Sequence, residues 1–148
     1  MSAETGRSRQ LLARIGLTLL DDAPERWRRI DLQCRAVADV HDVTLTVLLE
    51  DGSQPDMTLP PHVVDDLLEV RRLTYRPDMG AWFSMRYLLD PPAQMYVKYN
   101  YDWDPKWRSW RSPIPAESWA RDLEAFPRPE ENIPDWLAER IAEANRER

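Results

Sequence analysis

A chain of 148 residues, 43% hydrophobic and 31% charged, suits one soluble globular domain with a core of its own. Its formal net charge of −6 argues against broad contact with phosphate backbones or anionic membranes. No apolar run approaches the roughly 20 residues that cross a bilayer, and a single cysteine excludes an internal disulfide.

In chain order, Leu11, Leu12, Ile15 and Leu19 recur at helical spacing and predict an amphipathic helix over about 8–20. Arg14, Asp21 and Asp22 break the secretory pattern there, and a cytoplasmic location is expected. Ile30, Leu32, Cys34 and Ala36 alternate with polar residues, as do Val43, Leu45, Val47 and Leu49, so two strands come next, closed by the turn signal EDGSQP. A second helix opens near Pro60-Pro61. Its stripe is Val63, Val64, Leu67 and Leu68, with Asp65, Asp66 and Glu69 on the opposite side. AWFSMRYLLD and QMYVKYNYD read as strands joined by a turn at DPPAQ. Beyond position 90, where eight of 13 prolines and five of seven tryptophans lie, the texture changes. Two short helices close the chain, the first with Trp119, Leu123 and Phe126 on one side, the second with Leu137, Ile141 and Ala144. The order α-β-β-α-β-β-α-α implies one α+β domain over 1–148, with an antiparallel sheet of about four strands packed by helices. Its ends, before about 8 and after about 144, are expected to fray.

Catalytic signatures are missing. None of the four glycines belongs to a phosphate-cradling loop. Cys34 shares the parity of its apolar strand neighbours and reads as a small buried hydrophobe. His41 and His62 have no ligand-spaced partner. No catalytic residue, metal or cofactor is expected, and the chain reads as a non-enzyme.

Two regions carry binding potential. Ala36 to Val70 holds no Lys or Arg but carries Asp39, Asp42, Glu50, Asp51, Asp56, Asp65, Asp66 and Glu69. It is either a solvated face or a docking surface for a basic partner. In VKYNYDWDPKWRSWRSP, residues 97–113, Asn100, Asp102 and Asp104 alternate like calcium-loop ligands. Pro105 stands where such a loop needs glycine, and Arg111 where it needs a carboxylate. Trp103, Trp107 and Trp110 interleave with Lys106, Arg108 and Arg111. Three readings stay open for them: a cover over a small core, a protein contact, or a base-stacking platform, the last opposed by the net charge.

The strand Trp82-Phe83-Ser84, the strand end Tyr99-Asn100-Tyr101-Asp102 and the closing segment Asp122 to Leu137 resemble the YezG-like immunity proteins of polymorphic toxin systems. The resemblance spans most of the chain, but the Pro/Trp-rich segment 105–115 departs from the family's shorter loop. It implies a cytoplasmic protein that binds and neutralises a cognate secreted toxin domain without catalysis, the toxin having a basic surface. The candidate partner-binding residues are then Asp65, Asp66, Glu69, Tyr99, Tyr101, Asp102, Trp103, Asp104, Trp107 and Trp110. The alternatives are a small enzyme without a recognisable motif, or a nucleic-acid or adaptor module using 103–111.

Overall fold

The computed structural model describes residues 6–107 and 114–146. Its elements run in the expected order: α1 (Gly6–Asp21), β1 (Trp27–Ala36), β2 (His41–Leu49), α2 (Pro61–Leu73), β3 (Ser84–Asp90), β4 (Gln94–Asn100), α3 (Ala116–Ala125) and α4 (Asp135–Arg146), with a short 3₁₀ turn at Glu130–Asn132. The chain is a single α+β domain. Its strands form one antiparallel sheet in the order β2-β1-β3-β4.

Strand alternation sorts the two faces. Ile30, Leu32 and Cys34 align with Val47, Leu45 and Val43 on one side and with Leu89, Tyr87 and Met85 on the other. This row lies under Leu11, Leu12, Ile15 and Leu19 of α1 and Val63, Leu67 and Val70 of α2, which form the main core with it. The opposite face is left polar and open: Asp31, Gln33, Arg35, Arg86 and Lys98 are half-buried or exposed.

Two glycines mark close approaches. At Gly16 an added Cβ would lie 2.6 Å from the Tyr87 hydroxyl, which donates to the Leu12 carbonyl at 2.7 Å. Gly80 has φ +78°, a left-handed conformation that glycine adopts freely, and an added Cβ there would meet the Arg128 guanidinium.

A second, smaller core closes the end of the sheet where β1 and β4 finish and β3 starts. Val37, Phe83, Trp107, Trp119 and Leu137 form it, with Ile133, Trp136 and Ile141 against them. A buried ion pair joins the two cores. Arg71, on α2, donates to both carboxylate oxygens of Asp122 on α3, at 2.7 and 2.9 Å, and to the Trp82 carbonyl at 2.7 Å. Burial pushes the Asp122 carboxyl up, and the bonds from Arg71 pull it back.

Surface carboxylates behave in the usual sense. Hydrogen bonds from Arg29 and Arg72 hold Asp90 and Glu69, respectively, below the ordinary carboxylate range. A depressed carboxyl stabilises the fold above the unfolded-chain value of about 4, and that contribution disappears as pH falls through the depressed value. The urea midpoint should therefore be flat near neutrality and decline as pH drops below about 4. Arg29→Met combined with Arg72→Met should shallow that decline. An acid limb identical to wild type would contradict this origin.

Candidate functional site

The strand β4 ends at Asn100, whose side chain organises the turn after it. Its Oδ1 accepts from the backbone N–H of Asp102 and of Trp103, at 3.2 and 2.8 Å. Its Nδ2 donates to the Ser84 hydroxyl at 3.1 Å and to the Trp103 carbonyl at 2.8 Å. Asparagine suits this because its amide supplies donors and acceptors at turn spacing. Three further contacts tie the turn to the domain. Arg128 Nη1 donates to the Tyr101 carbonyl at 2.9 Å, Trp136 Nε1 to the Asp102 carbonyl at 2.8 Å, and Arg140 to both oxygens of Asp104 at 3.1 and 2.8 Å.

On this fixed turn Trp103 is 81% exposed, the most exposed of the large hydrophobic side chains in the described residues. It borders a depression of about 460 Å³ shared with Met79, Asp102, Glu131, Asn132 and Ile133. Asp102 and Glu131 are exposed carboxylates beside an exposed indole. An aromatic face among carboxylates is the arrangement that receives an Arg or Lys side chain.

The other predicted residues are spread over the molecule. Trp107 is not at the surface: it is 7% exposed and meets Trp119 edge-on, with ring centroids 6.5 Å apart. Its indole is one of the five buried side chains of the second core. Tyr99 and Tyr101 are half-buried. Tyr99 stacks on Trp82 at 5.9 Å, and the Tyr101 hydroxyl donates to the Thr74 carbonyl at 2.7 Å. Asp104 pairs with Arg140, whose guanidinium lies over both Trp119 and Trp136, at 4.8 and 4.9 Å. Trp110, with Arg108 and Arg111, lies outside the described residues.

The acidic window is also redrawn. Asp65 is exposed, but the expectation that Asp66 faces solvent is corrected: it is 4% exposed. Position 66 sits three residues after Val63 and four before Val70, on the flank of the buried stripe, where α2 meets α1. There Arg14 of α1 takes it in a two-bond ion pair, one bond 2.8 Å long. Glu69 is bonded by Arg72, one turn further on. Asp39 pairs with Arg121, and Asp42 lies 3.9 Å from Arg35. Cations from outside the window thus partner four of its eight carboxylates. Glu50, Asp51 and Asp56, around the β2–α2 connection, remain exposed with Asp65.

Sequence reasoning missed Glu131 and Met79, which the fold brings beside Trp103, and the cations of the open sheet face. The signal for the latter was available in strand parity, since Arg35, Arg86 and Lys98 alternate with apolar residues.

Reactive groups are sparse. Burial pushes the Cys34 thiol up to about 12, so it is un-ionised at neutral pH. His62 Nε2 lies 3.1 Å from the Thr18 hydroxyl on the exposed seam between α1 and α2, and that hydroxyl also bonds the Arg14 carbonyl. No third group orients this imidazole through a hydrogen bond among the described residues, as a hydroxyl–imidazole nucleophile requires. No helix of the described residues is long and apolar enough to cross a membrane. In comparisons with known proteins, no family model matches the chain and no curated protein matches it.

Proposed function

We propose that this protein is a cytoplasmic immunity protein that binds a cognate secreted toxin domain and neutralises it without catalysis. The observation that carries the reading is Trp103: a large indole displayed to solvent on a turn pinned from both sides and flanked by Asp102 and Glu131. Holding the backbone that carries an exposed aromatic side chain in one conformation reduces the ordering cost of binding, and tryptophan is among the residues that dominate interface energetics. The carboxylates beside it favour a partner with a basic surface. The resemblance in the aromatic segments Trp82-Phe83-Ser84 and Tyr99-Asn100-Tyr101-Asp102, at the start of β3 and the end of β4, supports the same reading.

The direct test is co-expression with any secreted toxin domain encoded beside this chain's gene. Growth should be rescued and a stoichiometric complex should purify. A neighbouring toxin domain that neither binds nor is neutralised would sink the proposal.

The exposed carboxylates make a separate kinetic prediction. Association with that toxin should slow as salt rises from about 0.1 M to about 1 M, where the Debye length falls from about 10 Å to about 3 Å. Glu50→Gln, Asp56→Asn and Asp65→Asn together should slow association at low salt and leave it unchanged at high salt, because rim charges act mainly on encounter. An association rate indifferent to both would remove the steering role.

A further inference from the structure

The open face of the sheet carries a pocket that the partner-binding reading does not use. Two cross-strand rows form its floor. In one, Gln33, Arg86 and Lys98 are register neighbours on β1, β3 and β4; in the next, Arg35, Ser84 and Asn100 are. Alternation puts all six on the same face. Pro105, on the turn after β4, lines one end, and the half-open depression measures about 200 Å³.

The chemistry of this lining is one-sided. Three of its side chains are cations, and none is a carboxylate. The nearby carboxylates leave donors over. Asp31 accepts from Arg86 Nε and Nη2, at 3.1 and 2.8 Å, which leaves Nη1. Asp42 lies 3.9 Å from Arg35, an ion pair beyond hydrogen-bond length. The Lys98 ammonium has no ion pair or hydrogen bond among the described residues, and Ser84, which accepts from Asn100, retains its own hydroxyl proton. In a chain of net charge −6, the lining gathers three cations and a hydroxyl, and the two acids that pair with Arg86 and Arg35 leave Lys98 uncompensated among the described residues.

We propose that this pocket binds a small oxyanion, a phosphate or carboxylate group, held by Lys98, Arg35 and Arg86 over the Ser84 hydroxyl. Arginine forks and a lysine ammonium are the donors suited to such oxygens. The rows are fixed by strand pairing, and the Asn100 bonds hold the turn that carries Pro105, so the backbone positions that carry the donors are set before the anion arrives.

The test is an NMR titration of the isotopically labelled full chain with inorganic phosphate, glycerol 3-phosphate and succinate, each against sodium chloride at matched ionic strength. At least one should give saturable shifts centred on the amides of Arg35, Ser84, Arg86 and Lys98. The anion that binds tightest distinguishes a free phosphate, a phosphate ester and a carboxylate as the source. Lys98→Met with Arg35→Met, both partly or fully exposed positions, should keep the fold, checked by circular dichroism, and weaken binding about tenfold or more. Trp103→Ala should leave it unchanged. Shifts that are linear in anion, lie elsewhere, or are equal in the double variant would overturn the proposal.

Discussion

Arg71→Met is expected to destabilise the protein by about 3–5 kcal/mol in urea unfolding at neutral pH. The guanidinium makes three bonds, two to Asp122 and one to the Trp82 carbonyl, and lies over the rings of Phe126 and Trp82 at 5.0 and 5.9 Å. Methionine replaces some of the packing and none of the bonds. Asp122, with 5% of its side chain exposed, would be left as a buried carboxylate without its counter-charge. Burial already pushes that carboxyl up, and nothing would then pull it back to the same degree. A carboxyl whose folded-state value is raised stabilises the fold below its unfolded value, and that contribution is lost as pH rises. The variant should therefore be relatively more stable near pH 4 than near pH 7, opposite to the acid limb of the wild type. Pairing it with Asp122→Leu should recover most of the loss, since an apolar pair of similar volume can replace a buried ion pair. A single variant as stable as wild type, or a double variant no better than the single, would show that the seam is not held electrostatically.

Trp107→Ala and Trp103→Ala are expected to separate folding from recognition, although the two residues lie four positions apart in the same run. Trp107→Ala should cost about 3–5 kcal/mol, the range for truncating a buried aromatic. It removes the edge-on partner of Trp119 from a small core with few other side chains to refill the space. Trp103→Ala should change stability by less than about 0.5 kcal/mol, because the indole contributes little burial. Under the proposed function it should nevertheless weaken toxin binding by about 2 kcal/mol or more, roughly thirtyfold. Calorimetric titration and urea unfolding on the same preparations read both. Normal toxin affinity in Trp103→Ala would place the contact surface elsewhere.

The contrast between these tryptophans shows where the sequence is legible. Element order and strand parity were readable because the main core repeats its apolar residues at periods of two and 3.6. Cys34 lies inside, as its parity implies. The second core has no such period. Val37, Phe83, Trp107, Trp119 and Leu137 come from five separate places in the chain, and only the folded arrangement tells an indole that fills a gap from one that overhangs it. Asp66 illustrates the same limit for charge. Its helical neighbours mark it as a flank position, but the cation that allows its burial arrives from 52 residues away. Glu131 came beside Trp103 in the same manner, through the 3₁₀ turn before α4.

The meeting of Gly16 and Tyr87 has a consequence for how such chains can diverge. The phenolic oxygen occupies the volume a methyl group at position 16 would need, whereas the ring carbon behind it lies 3.8 Å from that point, an ordinary contact. Alanine at 16 is therefore excluded while tyrosine stands at 87 and admissible once phenylalanine replaces it. The exchange leaves the Leu12 carbonyl its helical partner four residues on, and gives up the hydroxyl's contact with the Gly16 backbone. Each order of mutation is uneven: losing the hydroxyl first opens a small void, while gaining the methyl first meets a clash. In descendants of this sequence the two sites should be inherited jointly, as Gly with Tyr or as Ala with Phe, and the Ala–Tyr combination should be the rarest of the four.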